Sequence, residues 1–568
     1  MRRLVSVLPL LILTGSCGPS DSFREFEVEY WRKWLQANPS IATGAGVHDY
    51  DAMMEDYSAQ AIQAREAELA VMLDRLQNMT GLAADEKIDG EIIRAAIRAE
   101  ILETQEVQNW KRNPMMYVGT PGGAVDALMK RDFAPKRKRL EYVVSRLQGV
   151  APMVAAMKAN VSNPPKEFTE LAIRMASGSV GFYKESVAVW AKDAAGGDPG
   201  LMGWFGRVNK EAIAAMEDAA KWLKADLLPR SKGSYSIGAD LFAKKLKYEE
   251  MVDTPLDRLL AIGEANLEKD YKAFVETARL INPKKTPAQV MADISNDHPT
   301  EADLIPATRR TLAGIRHFLV DKKIIDLPNA LFPKVEETPP YARSGSFASM
   351  DTPGAYETKA TEAFYYVTPP EKDWDAKHKE EHLRLYNKPV MDIITIHEVF
   401  PGHFTQFIFA NQFPTKTRKL YSCSSNAEGW AHYTEQMMIE EGFGKGDPKL
   451  KLAQLSEALL RDCRYVAGIK LHTQGMTVAD GAKVFVEKCF QEPANAYEEA
   501  RRGAYNPTYL YYTLGKLQVY KLREDYKKAK GQEFSLARFH ADFVKQGAIP
   551  IKLIRRILLG VDGKVLDE

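Results

Sequence analysis

Cysteine is scarce in this chain, four residues in 568. So few thiols cannot build the disulfide framework on which cysteine-rich secreted domains depend. Charge of one sign is missing too. Lys plus Arg (77) against Asp plus Glu (76) leaves a formal net charge of +1, whereas a protein that lives on nucleic acid carries a clear basic excess. Beyond residue 17 no apolar run approaches the ~18 residues of a membrane-spanning helix, so a soluble body is expected. No internal repeat or low-complexity tract interrupts the chain, which removes solenoid and array architectures. With 45% apolar and 27% charged residues, the chain can bury enough surface to offset its ordering entropy, so disorder is not its dominant state.

What is present begins with an address. Arg2 and Arg3 precede the short apolar run Leu4–Leu13, and Thr14, Gly15 and Ser16 lead to Cys17. A basic start, an apolar stretch too short to span a bilayer and small residues at its end form a secretory signal. A cysteine directly after small residues resembles a bacterial lipobox, with its leucine (Leu13) one place early. Residues 1–16 are expected to be removed and Cys17 lipidated, ordinary signal cleavage being the alternative. That would put the protein on the periplasmic side of the envelope; Gly18, where an Asp would retain it, is compatible with the outer membrane. Lipidation leaves Cys423, Cys463 and Cys489, an odd number, so at least one thiol stays unpaired. Their spacing selects no pair, and buried apolar packing is the default for each.

Residues 23–568 read as a helical body, large enough for two lobes (about 23–250 and 251–568) around a central cleft. From Phe23 to about Leu228 apolar residues recur at spacings of three and four, as at Ile213, Met216, Ala220 and Leu223. Thr254 and Pro255 mark a further helix start, followed by the stripe Leu256, Leu260, Gly263, Leu267, Tyr271 and Phe274. The run Lys136–Arg139 precedes another stripe and reads as a solvated helix start, not a nucleic-acid patch. Tyr117–Gly123 reads as a loop. Strand character gathers between Ala342 and Thr368, where Asp351–Gly354 is a turn signal between Ser344–Met350 and Tyr356–Val367. The expected fold is mainly α, with a small β-sheet beside the segment that carries the chemistry.

That segment is Met391–Asn411, where His397, Glu398 and His403 stand in an apolar helical background. The familiar zinc signature is His-Glu-x-x-His, in which a spacing of four returns both imidazoles to one helix face. Six residues rotate a regular helix by ~600°, leaving the rings on roughly opposite faces. Between them Pro401 cannot donate a helical hydrogen bond and Gly402 tolerates unusual backbone angles, so a bulge or break here can restore convergence. Burying two ionisable groups among Ile393, Ile394, Ile396, Val399 and Phe400 is costly unless they bind something. A third ligand is needed to leave a position for water, and Glu428, 25 residues after His403, is the choice. His432, one turn on, either hydrogen-bonds a ligand or binds metal itself.

With Zn²⁺ on His397, His403 and Glu428, Glu398 is the expected general base. The segment Arg501–Gly515 offers Tyr512 or Tyr509 as a donor to the oxyanion, and Arg501 or Arg502 as a holder of a substrate carboxylate.

The run His397-Glu398…Pro401-Gly402-His403…Gln406, followed by Glu428-Gly429-Trp430-Ala431, strongly resembles the bacterial family catalogued as domain of unknown function 885. Fainter likeness extends from Pro39–Gly46 to Phe539–Pro550. Members look like zinc peptidases related to glutamate-type zincins. The resemblance implies a largely helical fold with a small substrate-side sheet, the ligand set His397, His403 and Glu428, and Glu398 as base. It also implies that Gln406 supports the site, and that Arg464, His472 and Tyr512 lie near it. The function expected is zinc-dependent hydrolysis of small peptides. The alternatives are hydrolysis of another amide, such as an acyl-amino acid or cell-wall peptide, and a non-catalytic metal- or peptide-binding lipoprotein. Expected partners are a peptide and, through the lipid alone, a membrane; nucleic acid is excluded.

Overall fold

The computed structural model describes residues 22–327, 332–339, 343 and 348–566. The signal segment 1–16, Cys17 and residues 344–347 of the first expected strand lie outside the described residues. The architecture is mainly α, with a three-stranded sheet. Among the described residues no helix is long and apolar enough to cross a membrane.

The first part of the chain is helical, as its periodicity predicts, with differences in detail. The stripe around Met216 lies in a helix over Pro199–Trp222, whose N-terminal amides at Gly200 and Leu201 donate to the Asp198 side chain. Lys136–Arg139 opens a helix over Lys136–Gln148, but Arg139 is not solvated. It is buried, and its guanidinium donates to the carbonyls of Leu128, Met129 and Arg131. The expected loop Tyr117–Gly123 is instead inside a helix, Met115–Lys130, that carries Pro121 within it. Burial of Tyr117, Val118, Val125 and Leu128 outweighs the hydrogen bond that the proline removes.

Helix α1 (Leu256–Ile281) begins just after the expected position. Pro255 is extended at the cap and no side chain caps the helix, so Thr254 does not play that part. The sheet follows, in the order β1 (Lys334–Glu337), β3 (Phe364–Val367), β2 (Ala348–Asp351). β1 runs parallel to β3 with Val335 opposite Tyr365, and β2 runs antiparallel with Met350 opposite the same residue. Tyr365 is buried, and its hydroxyl lies 3.2 Å from Thr395 Oγ1, which fixes the sheet against α2 (Lys388–Glu398).

The helices that carry the chemistry come next. α3 (His403–Ala410) follows a short turn, α4 (Ser424–Glu440) packs against both, and α5 (Pro448–Thr473) packs against α1. At that contact a Cβ on Gly263 would stand 2.2 Å from the Tyr465 ring. α6 (Pro493–Tyr505) and α7 (Tyr511–Lys530) close the site region. α4 and α7 meet backbone to backbone. A Cβ on Gly515 would lie 1.7 Å from the Ser425 carbonyl oxygen, and one on Gly429 would lie 2.3 Å from Gly515 Cα. One apolar cluster runs from Met115 through Phe242, Leu267 and Tyr465 to Leu514 and so joins the two halves of the chain.

Cys463 on α5 and Cys489 at the end of the helix Val478–Cys489 form a disulfide, their Cα atoms 6.6 Å apart. The default of apolar packing for each is thereby corrected: the chain doubles back after α5 and sets these two thiols face to face. Cys423 is free and buried, its thiol donating to Glu250.

Candidate metal centre

α2 starts where the Asn387 side chain accepts from the Val390 amide and Pro389 occupies the first turn. Buried Met391, Ile393 and Ile396 hold it in the core, and it carries His397 and Glu398 in its last turn. There the helix stops, and the Pro-Gly pair makes a break instead of a bulge within one helix. The Gly402 amide turns back to donate to the Ile396 carbonyl at 3.0 Å, and α3 begins at His403. The turn is so tight that a Cβ on Gly402 would sit 1.8 Å from the His397 carbonyl oxygen. Its outer side is held by Trp430, whose indole donates to the Pro401 carbonyl at 2.8 Å. The two sequence motifs are thus fastened to one another.

The break brings the imidazoles together. The rings of His397 and His403 are 4.8 Å apart and nearly perpendicular. Glu428, on α4, places Oε2 3.5 Å from His397 Nε2 and 3.3 Å from His403 Nε2. Among the described residues, this trio can offer ligand atoms all lying within 4.8 Å of one another. His403 stacks on Phe407, and its Nδ1 has no partner. Burial alone would raise the Glu428 pKa, but His403 and His397 hold it well below the usual carboxylate range. Two ring nitrogens and an ionised carboxylate form a donor set that fits a divalent cation of zinc's type.

Glu435, two helical turns after Glu428 on the same helix face, is the residue the sequence reasoning missed. Its Oε1 is 2.7 Å from His397 Nδ1, its Oε2 is 3.1 Å from His432 Nδ1, and Arg461 Nη2 is 3.4 Å away. Burial would raise its pKa, yet Arg461, His432 and His397 hold it well below the usual range. An ionised carboxylate only accepts, so His397 Nδ1 carries a proton, which leaves Nε2 as the atom that can bind a cation together with Glu428. Burial pulls His397 down, but its hydrogen bonds to Glu428 and Glu435 outweigh it and raise it to about 9, so a cation must displace the Nε2 proton to bind there. His432 therefore reaches the ligands through Glu435 and is not itself in the trio. Burial and Lys516 push it down to about 3, so it is neutral, and its Nε2 has no partner.

Glu398 ends α2 half-buried and makes no hydrogen bond or ion pair among the described residues. Tyr512, at the start of α7, is pushed up to about 12 by burial and by the Glu428 carboxylate, so it is a protonated donor at neutral pH. Arg464 and Arg461 flank its ring at 5.2 and 5.6 Å.

Other expected site residues are engaged elsewhere. Tyr509 donates its hydroxyl to the Glu499 carbonyl at 3.1 Å and wedges between Gly468 and Gly503, so it has no oxyanion to serve. Arg501 is buried and paired with Glu498. Arg464 forms a two-pronged pair with Glu499, both contacts at 2.8 Å. His472, lowered to about 4 by burial, donates from Nε2 to the Gly503 carbonyl at 2.8 Å and ties α5 to α6. Gln406 donates to Asn426 at 2.8 Å, and Asn426 in turn donates to the Ile549 carbonyl. Gln406 therefore braces α3 against α4 without touching a ligand. Separately, a cavity of about 560 Å³, lined by Asp303, Thr311, Lys388 and Asp392, lies at the opposite end of α2 from His397. The expected central cleft is not this cavity.

A family model described as bacterial proteins of unknown function, DUF885, matches residues 39–558. A solved structure from Shewanella oneidensis, described as a candidate lipoprotein of unknown function, is 26% identical with a TM-score of 0.81, covering 95% of this chain and 100% of that one. Another from Colwellia psychrerythraea, described as a candidate lipoprotein, is 16% identical with a TM-score of 0.81, covering 95% of this chain and 98% of that one; it shares the fold. No curated protein matches this chain.

Proposed function

The chain belongs to the bacterial family of unknown function DUF885, and within it we propose a zinc-dependent hydrolase that cleaves peptide bonds in small peptides. The observation that carries this reading is the convergence of His397, His403 and Glu428 within 4.8 Å beside an unengaged carboxylate, Glu398. When bound by this trio, zinc would polarise the scissile carbonyl and acidify a water.

The chain's own groups divide the remaining work. Glu398 takes the proton of the attacking water and passes it to the leaving amine. Its freedom from other partners suits that exchange. Tyr512 donates a hydrogen bond to the oxyanion as the carbonyl becomes tetrahedral. Glu435 holds the His397 proton on Nδ1, and Arg461 keeps Glu435 ionised. A protein that only bound metal would need no base beside its ligands.

For location we propose the periplasmic face of the envelope, with Cys17 as the lipidated residue. The descriptions of the two structural relatives as candidate lipoproteins support this. The Cys463–Cys489 disulfide suits an oxidising compartment.

Two variants test the activity. Purified protein is expected to hold about one zinc per chain, and His403→Ala to lose it. Glu398→Gln is expected to keep the metal and lose hydrolysis of a peptide library. Normal zinc content in His403→Ala removes that histidine from the ligands; undiminished turnover in Glu398→Gln removes the base.

A further inference from the structure

A chain whose charges balance, 77 cationic against 76 anionic residues, gathers an excess of one sign in one place. Between the helices Ala84–Ile101, Ala239–Glu249 and Ile551–Leu559 lies a cleft of about 250 Å³, lined by Arg94, Arg98, Lys247, Lys552 and Arg556. The acids on its walls are Glu91 and Asp253, and each is taken. Arg556 holds Glu91 at 2.7 Å, and Lys552 holds Asp253 at 3.1 Å. Arg94, Arg98 and Lys247 form no ion pair among the described residues. The Arg98 guanidinium lies 5.9 Å over the Tyr248 ring, a contact that supplies no anion. Arg94 and Arg98 stand one turn apart on the same helix face, where two like charges repel. Helix ends account for part of the excess, since Arg98 and Lys247 lie in last turns, which favour a cation. Arg94 lies mid-helix and has no such compensation. A phosphate set between the two guanidinium forks would turn the repulsion into a pair of charged hydrogen bonds.

The place of the cleft says whose phosphate this is. The helix that carries Arg94 and Arg98 also holds the first described turn of the chain. Arg24 pairs with Glu86 at 3.6 Å and with Asp89 at 3.5 Å, and a Cβ on Gly90 would stand 3.3 Å from the Phe23 ring. Arg94 and Arg98 follow Gly90 by about one and two turns, ~6 and ~12 Å along the axis, and turn no more than ~80° around it. Ser22, which caps the helix Phe23–Ala37, is five residues from Cys17, a reach of at most ~18 Å. A lipid on Cys17 can therefore enter only a bilayer that passes close to this cleft. From this we propose that the cleft is a docking surface for the phosphates of anionic phospholipids, and that it lays this face of the protein on the bilayer. The geometry rests on the lipidation of Cys17 proposed above, whereas the unpaired charges stand without it.

The test uses the mature chain prepared without residues 1–17, and so without lipid, on vesicles of phosphatidylcholine with or without phosphatidylglycerol. Every residue of the described fold is kept. Binding to the anionic vesicles is expected to be at least about tenfold tighter than to the neutral ones, and to weaken as salt screens it. Each of Arg94→Gln, Arg98→Gln and Lys247→Gln should weaken it about fivefold, and the three together about a hundredfold. Arg94→Lys and Arg98→Lys should keep most of it. Lys192→Gln, Lys210→Gln and Lys221→Gln combined remove the same charge at exposed positions elsewhere, and should change it little. Thermal melts report that every variant is folded. When protein bearing its lipid sits on anionic vesicles, Lys247 should be shielded from an amine-reactive label and Lys210 should not. Equal binding to both vesicles, equal losses from the two triple variants, or an unshielded Lys247 would overturn the docking surface. So would calorimetric binding of inorganic phosphate that needs Arg94 and Arg98 and displaces the vesicles at matched ionic strength, because the cleft would then take a free anion. Envelope-purified protein whose mass shows no lipid on Cys17, with vesicle binding that still depends on Arg94 and Arg98, would remove the anchor alone.

Discussion

Replacing Glu435 by glutamine exchanges one oxygen for a nitrogen at a buried point where three groups meet. The carboxylate accepts from His397 Nδ1 at 2.7 Å and from His432 Nδ1 at 3.1 Å, with Arg461 at 3.4 Å. An amide has one accepting oxygen, so it can serve one histidine as the carboxylate did while presenting N–H to the other. Where His397 meets that N–H, its proton shifts to Nε2, the atom that faces Glu428, and the ring can no longer offer a lone pair there. Losing such an orienting carboxylate costs 10–100-fold in metal affinity, about 1.4–2.7 kcal/mol. Arg461 also loses a charged neighbour, although Glu457 still holds it at 2.6 Å. The stability cost of the substitution is therefore about 1–3 kcal/mol, that of a weakened buried pair. The assay is a zinc titration of chelator-stripped protein against a competing indicator, with a thermal melt of the same preparation. Glu435→Gln should remain folded and bind zinc at least tenfold more weakly, whereas Glu428→Gln should lose binding altogether. A folded Glu435→Gln protein with native zinc affinity would refute the reasoning that Glu435 sets the His397 tautomer.

Other expectations follow from neighbouring features. Gly402→Ala puts a methyl 1.8 Å from the His397 carbonyl; it should cost more than about 3 kcal/mol in urea unfolding and abolish zinc uptake, and a stable, zinc-replete variant would contradict the turn as described. Cys463 and Cys489 close a loop with a sequence separation of 26, so the double Cys→Ala variant should lose about 3.5 kcal/mol by chain entropy; denaturation curves that superimpose on those of the oxidised protein would exclude that stabilisation. His48 sits between Asp51 at 3.0 Å and Glu357 at 3.2 Å; burial lowers its pKa but these carboxylates outweigh it, and the net shift is upward. Its contribution to stability is thus complete below about pH 6.5 and fades as pH rises through the raised value. The urea midpoint should fall over that interval in the native protein and less in His48→Gln; equal slopes would rule this out.

The helical periodicity was legible because most helices here bury one face, and Leu260, Leu267 and Phe274 lie inward as their spacing implies. Where an element depends on distant partners, local pattern misled. Tyr117–Gly123 has the composition of a loop, yet it is helical because its apolar side chains enter a cluster assembled from remote helices. β1 carries a single apolar residue, Val335, and is a strand because β3 offers it a parallel edge. The trio His397, His403 and Glu428 could be read from the motifs, since a Pro-Gly pair between two histidines has a backbone consequence. The surroundings could not. Whether Arg501, Arg502 or Arg464 has a partner depends on Glu498 and Glu499 across a helix turn or a helix pair, and a list of charges contains no pairing. Glu435 could have been found: seven residues after Glu428, it returns to the same side of α4.

The contact between α4 and α7, made without side chains at Gly429 and Gly515, has a mechanical consequence. Two rods touching at bare backbone have no cushion to compress and no lever to pivot on, so neither can roll or slide without collision. Glu428 rides one rod beside the weld and Tyr512 the other, three residues away from it. The separation between them is thereby gauged by the scaffold and not by the cargo. Any gate that admits a guest must swing on other hinges.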